Sequence, residues 1–119
     1  MDRQGAVSAA ELTRQVRQAL GPVLPCGPSL IPLDILTAIS VARDAGEPLS
    51  VKQLLVTLPY SVTGIRYNLS QLVADGWVLK VPAENDRRRI QLLPDKRTDQ
   101  ALARVRSNLI GAVGEAIKH

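Results

Sequence analysis

The chain has 119 residues, 45% hydrophobic and 22% charged, with a net charge of +4. That length suits one domain with its own core, and the mixture excludes a disordered chain. No apolar run approaches the roughly 20 residues that span a bilayer, so no membrane insertion is expected. The polar start, Met1-Asp2-Arg3-Gln4-Gly5, lacks the basic-then-apolar order of a secretory signal, and a cytoplasmic location is the expectation. One cysteine, Cys26, and one histidine, His119, leave no material for an internal disulfide, a cysteine or histidine metal cluster, or histidine acid–base chemistry. A hydrolase lacks a nucleophile–base pair as well. Neither catalysis, metal nor cofactor is therefore expected.

The positive charge is placed centrally. Between Lys52 and Arg97 eight basic residues face four acidic ones, whereas seven of each sign balance in the flanks. An isoelectric point of about 9.7 with this distribution points to a polyanionic partner that meets the middle of the chain.

Ser8-Ala9-Ala10-Glu11 has the form of a capping box, and Leu12, Val16, Ala19 and Leu20 follow at helical spacing until Gly21-Pro22. Pro22 to Pro32 holds four prolines and reads as a connecting loop containing Cys26. From Pro32 the apolar face Leu33, Leu36, Ile39, Ser40 and Ala42 predicts a second helix, closed at Asp44-Ala45-Gly46 by a left-handed glycine. A second capping box, Ser50-Val51-Lys52-Gln53, starts a helix of about two turns that Leu58-Pro59-Tyr60 breaks. Ser61 caps the next, whose buried face is Ile65, Leu69, Leu72 and Val73, up to Asp75-Gly76. Two helices joined by so short a turn form a helix-turn-helix.

After Gly76 the period becomes two. Trp77–Val81 and Arg89–Leu93 predict a hairpin, with the charged Pro82–Arg88 as its tip. Beyond Pro94, apolar residues from Ala101 to Ile117 recur at spacings of three and four, predicting a helix of about 22 residues, roughly 33 Å long.

This order of elements resembles the winged helix-turn-helix, and three stretches bring it nearest the MarR family of bacterial transcription regulators. They are Pro48-Leu49-Ser50 with Gln53-Leu54-Leu55; Ser61, Ile65, Leu69, Leu72 and Asp75-Gly76-Trp77-Val78; and Asn85-Asp86-Arg87-Arg88-Arg89 with Leu92-Leu93-Pro94-Asp95-Lys96. The last is the most specific, since Asp86-Arg87-Arg88 occupies the place of the family's Asp-x-Arg wing tip. Pro94 and Arg97 stand where the family has threonine and glycine. The resemblance implies a mainly α fold with a small β-hairpin wing: one domain over 1–119, with an N-terminal helix at 8–20, a DNA-binding core at 32–97 and a C-terminal dimerisation helix at 98–118. It implies a sequence-specific duplex-DNA-binding regulator, a dimeric repressor acting by occlusion. No feature of the sequence indicates a small-molecule effector.

In such a fold the second motif helix lies in the major groove. With Ile65, Leu69 and Leu72 inward, Val62, Thr63, Arg66, Tyr67 and Ser70 face outward. Arg66 is the main expected base reader, since its fork can bond guanine O6 and N7 together; Val62 and Thr63 suit a thymine methyl, and Ser61 and Thr63 a phosphate. Arg87, Arg88 and Arg89 cannot all point one way, so one is expected in the minor groove and another on phosphate, with Asp86 orienting an arginine. Tyr60, Tyr67 and Trp77 are the only aromatics, too few for single-strand stacking, and Trp77 is expected to pack at the wing's base.

Leu12, Val16, Leu20, Leu102, Val105, Leu109, Val113 and Ile117 supply more apolar surface than a small winged domain needs, which predicts a homodimer on a pseudo-palindromic operator with half-sites roughly 34 Å apart. The alternatives are a monomer that folds these helices back, and a winged-helix protein-interaction module that hardly touches DNA. Cys26, with no basic residue within five positions, reads as a small apolar side chain rather than a redox switch.

Overall fold

The computed structural model describes residues 8–20 and 29–118, with side chains over 8–19 and 29–114. Cys26, most of the proline-rich loop, the first seven residues and His119 lie outside that range. The elements are helices α1 (Ala9–Leu20), α2 (Ile31–Asp44), α3 (Val51–Thr57) and α4 (Val62–Ala74), strands β1 (Val78–Ala83) and β2 (Asp86–Pro94), and helix α5 (Lys96–Lys118). This is the expected mainly α fold with a two-stranded wing. No helix among the described residues is long and apolar enough to cross a membrane.

Local chemistry accounts for most of the boundaries. Ser50 Oγ accepts from the Gln53 N–H at 3.1 Å while Gln53 Oε1 accepts from the Ser50 N–H at 2.9 Å, so the capping box of α3 closes fully. At α1 only half of it forms: Ser8 Oγ accepts from the Glu11 N–H at 3.0 Å, but the Glu11 carboxylate turns to Arg14 and Gln15. Helices α2 and α4 both end in a Schellman turn. Gly46 (φ +80°) and Gly76 (φ +82°) supply the left-handed residue, with Glu47 N–H bonded to Ala42 O and Trp77 N–H to Leu72 O.

The chain forms two compact units, one of Cys26–Asp99 and one of Met1–Pro25 with Gln100–His119. In the first, α2 packs against α4 and β2, and β1 packs against α4. Ile35, Leu36 and Ile39 of α2, Leu54 of α3, Ile65 of α4 and Leu92 of β2 have no exposed surface, while Leu69, Leu72 and Val78 are buried beside them. Burying each such side chain contributes roughly 1.5–3 kcal/mol, so this face is the main reason the seven-residue α3 holds its place. The Leu92 N–H donates to Leu49 O at 2.8 Å, tying the segment before α3 to the wing. Arg43 forks onto Asp99 at 2.8 and 3.1 Å, linking the end of α2 to the first turn of α5.

In the second unit Ala19, Ala101 and Val105 are buried, and Asn108 Nδ2 donates to Ala19 O at 3.3 Å. Leu12, Val16, Leu102 and Leu109 are half-buried. Ile110 and Val113 stay exposed, and with Leu109 and Gly114 they line an apolar depression of about 360 Å³. Of the expected dimer residues, Val105 thus spends its apolar surface inside the chain, and the side chains of Leu20 and Ile117 lie outside the described range. Ile110 is a further apolar residue of this face.

Two boundaries differ from expectation. The wing's strands run into the charged tip and leave only Glu84-Asn85 as the turn, because Pro82 is tolerated on a two-stranded edge where no further strand needs its N–H. Helix α5 starts at Lys96 and not at 98, since Asp95 caps it: its Oδ2 accepts from the Arg97 N–H at 2.8 Å.

Candidate nucleic-acid interface

Helix α4 is amphipathic in the manner that presents a reading face. Ser61, in extended conformation, accepts the Gly64 N–H on its Oγ at 3.0 Å and so starts the helix at Val62. Ile65, Leu69 and Leu72 go inward, and Val62, Thr63, Arg66, Tyr67 and Ser70 are all exposed on the opposite side. Tyr67, 64% exposed, and Val62, 52% exposed, are the large apolar surfaces of this face. Gln71 and Ala74 continue it. Gln71 is an addition to the residues expected on this face: its i+4 spacing from Tyr67 marks it, and its amide matches the adenine edge. Asn68 turns back on the helix, its Nδ2 donating to Gly64 O at 2.8 Å.

The turn ahead of α4 is anchored from a distance. The Tyr60 hydroxyl donates to an Asp34 carboxylate oxygen in the first turn of α2, and this bond raises the phenol pKa above its ordinary value. Tyr60 and Asp34 are both half-buried. The pairing spans 26 residues, and nothing in either local sequence announces it.

The wing carries Arg87, Arg88 and Arg89, all exposed. The ladder pairs Val78 with Pro94 through to Pro82 with Ile90, then shifts so that Ala83 pairs with Asp86. The three arginines therefore fall in an irregular stretch of β2 without a residue directly opposite, so strict alternation of faces does not govern them. Asp86 holds Arg88 by its backbone: its Oδ1 accepts the Arg88 N–H at 3.0 Å, and it makes no ion pair with a wing guanidinium. Arg89 borders a polar cleft of about 390 Å³ with Glu47, Gln53, Asn85 and Gln91. Among the described residues no salt bridge neutralises Arg66, Arg87, Arg88 or Arg89. Lys52 on α3 and Lys80 on β1 are exposed as well and add to the positive field.

At the wing's base Trp77 is half-buried, as its packing role requires. Its carbonyl accepts from Asp95 N–H at 3.0 Å and from Oγ1 of the fully buried Thr98 at 2.6 Å. The Arg97 guanidinium lies 3.9 Å from the Trp77 ring centroid and donates through Nη2 to Asp75 O. The local sequence does not announce these contacts of Arg97, because its partner Asp75 stands 22 residues away.

No group of three or more acidic, cysteine or histidine side chains capable of holding a metal occurs among the described residues. No family model matches the chain, and no curated protein matches it either. Solved structures do. Transcriptional regulator Tm0710 from Thermotoga maritima aligns at TM-score 0.66 and 19% identity over 87% of this chain and 68% of that one. MepR from S. aureus, bound to ethidium bromide, aligns at TM-score 0.74 and 11% identity, covering 92% and 75%. A variant of MarR from E. coli, complexed with operator DNA, aligns at TM-score 0.59 and 19% identity, covering 89% and 74%. At such identities the likeness is one of architecture, and the chain has the winged-helix fold of MarR-like regulators.

Proposed function

We propose that the chain is a sequence-specific duplex-DNA-binding transcriptional regulator that acts as a dimeric repressor by occluding its operator. One observation carries the reading: the exposed face of α4 and the arginines of the adjoining wing belong to one compact unit, and none of these arginines has a salt-bridge partner among the described residues. Cations so placed are available to phosphates and base edges. The MarR variant of like fold is itself complexed with operator DNA. Helix α4 enters the major groove with Arg66 on a guanine edge, and Val62, Thr63, Tyr67, Ser70 and Gln71 along the same face. Ser61 and Thr63 lie at the helix start, where phosphate oxygens meet N–H groups. Arg87, Arg88 and Arg89 hold the flanking minor groove and backbone. The apolar face of α5 around Ile110 and Val113 joins two copies, which sets two recognition helices on half-sites roughly 34 Å apart.

The test is fluorescence anisotropy of a labelled duplex against the protein at several salt concentrations. Non-specific binding is expected near 10⁻⁴–10⁻⁶ M at physiological salt, tightening as salt falls. With one wing arginine in the minor groove and two on phosphate in each of two protomers, the slope of log K on log salt should be about −4. Arg66→Ala should cost about 1–3 kcal/mol and relax preference at one base position, whereas Arg87→Ala should weaken all sequences alike. Absence of binding at low salt with tens of micromolar folded protein would refute the reading and favour a protein-interaction module.

A further inference from the structure

We propose that Arg97 is a positioning residue that sets the angle between the recognition helix and the wing, and thereby lets one protomer engage two grooves at once. The inference rests on the DNA-binding reading above.

Only Asp75-Gly76-Trp77 separates the end of α4 from the start of β1. Gly76 sits at φ +82°, and an added Cβ there would meet just one atom within 4 Å, Arg97 Nη2 at 3.8 Å. The Schellman turn closes the helix side of this bend, with Trp77 N–H on Leu72 O and Gly76 N–H on Val73 O, and leaves the Asp75 carbonyl and the Trp77 ring to partners from elsewhere. Those partners belong to the segment that opens α5. Asp95 N–H and Thr98 Oγ1 both grip the Trp77 carbonyl, which holds the wing side of the bend. Arg97 alone among these three reaches across Gly76: it bonds the Asp75 carbonyl on the helix side and covers the Trp77 ring on the wing side. Each contact has a physical reason. The carbonyls at a helix C-terminus lack intrahelical partners and carry the negative end of the dipole, and the indole face attracts a cation. A planar guanidinium can stack and donate in its plane together, which an ammonium cannot. The Arg97 N–H, held by Asp95 Oδ2 at 2.8 Å, fixes where that side chain starts.

The bend is a lever. The six residues of β1, at about 3.3 Å each, carry the wing tip roughly 20 Å from the corner. A rotation of about 10° there moves the tip by about 3.5 Å, more than a hydrogen bond tolerates. Arg66 and the wing arginines then cannot both be seated on one site.

The experiment compares wild type, Arg97→Ala and Arg97→Lys on two duplexes: one recovered from a random pool by selection with the wild-type protein, and a scrambled version of it. Both variants should bind the selected duplex about tenfold more weakly, with less than about twofold change on the scrambled duplex and an unchanged salt slope. Emission of Trp77, the single tryptophan, should shift in both as the ring loses its guanidinium cover. An unchanged ratio of selected to scrambled affinity in spite of shifted emission overturns the inference. So does a slope that drops by about one unit in Arg97→Ala and returns in Arg97→Lys, which would make Arg97 a phosphate ligand. Failure of both variants to fold, judged by circular dichroism, would make Arg97 a stability residue and equally end it. Failure of wild type to bind either duplex at low salt removes the DNA-binding reading itself, which is a separate result.

Discussion

Replacing glycine by alanine at Gly46 and at Gly111 should change stability in opposite directions, although the two substitutions add the same methyl group to open space. At both positions an added Cβ meets no atom within 4 Å, so neither packing nor collision enters. What differs is the backbone. Gly46 closes α2 at φ +80°, where an L side chain meets the following carbonyl oxygen at a cost of roughly 1–2 kcal/mol. Alanine also narrows the unfolded ensemble, which returns about 0.4–1 kcal/mol, so Gly46→Ala should destabilise by about 1 kcal/mol net. Gly111 lies inside α5, and there alanine should stabilise by about 0.5–1 kcal/mol.

The assay is urea unfolding followed by circular dichroism at matched protein concentration, since association would shift both transitions. The two midpoints should fall on either side of wild type, with melting temperatures separated by several degrees at about 4 °C per kcal/mol. Gly46→Asn, which tolerates the left-handed region, should recover part of the loss. A Gly46→Ala protein as stable as wild type would show that the Schellman turn does not hold the bend between α2 and α3, and the reasoning from φ would fail.

Other perturbations read other links. The Tyr60 phenol donates to Asp34 and has its pKa raised, so its contribution to stability is complete below the ordinary phenol value near 10 and is lost as pH rises through the higher folded value. Wild type should therefore lose stability on alkaline titration more steeply than Tyr60→Phe, and parallel curves would contradict the hydrogen bond. Arg43 and Asp99 form a two-pronged pair with side chains 35% and 42% exposed, for which a double-mutant cycle should return a coupling of only about 0.5–1 kcal/mol that shrinks with salt. A coupling of zero at low salt would deny the link between α2 and α5. Ile110→Lys combined with Val113→Lys places charge on the apolar face of α5 and should convert the proposed dimer to a monomer in light scattering; a dimer that survives would put its interface elsewhere.

How far these features were legible in the sequence depended on the range over which each is determined. Ser50 with Gln53, Ser61 ahead of an apolar period, and Gly46 and Gly76 after their helices are local devices whose partners lie within five residues, so reading along the chain located α2, α3 and α4 closely. The outward face of α4 followed from the same periodicity, because inward Ile65, Leu69 and Leu72 leave Arg66 and its neighbours nowhere else to go. The hairpin tip was harder. Pro82, Glu84, Asn85 and Asp86 are residues of turns, yet a two-stranded ribbon lets proline and charge stand within its strands, and only the pairing of Ala83 with Asp86 limits the turn to two residues.

What local reading could not reach was the bracing. Tyr60 finds Asp34 across 26 residues, Arg43 finds Asp99 across 56, and Arg97 finds Asp75 across 22. Each joins segments that the apolar pattern had already brought close: the start of α4 to α2, the end of α2 to α5, and the base of the wing to the end of α4. The apolar periodicity therefore sets which faces meet, while these polar contacts join residues far apart in sequence at the edges of those faces. A substitution at Arg97 should accordingly leave the fold in place while changing what it recognises, whereas one at Ile65 or Leu92, which have no exposed surface, should remove both together.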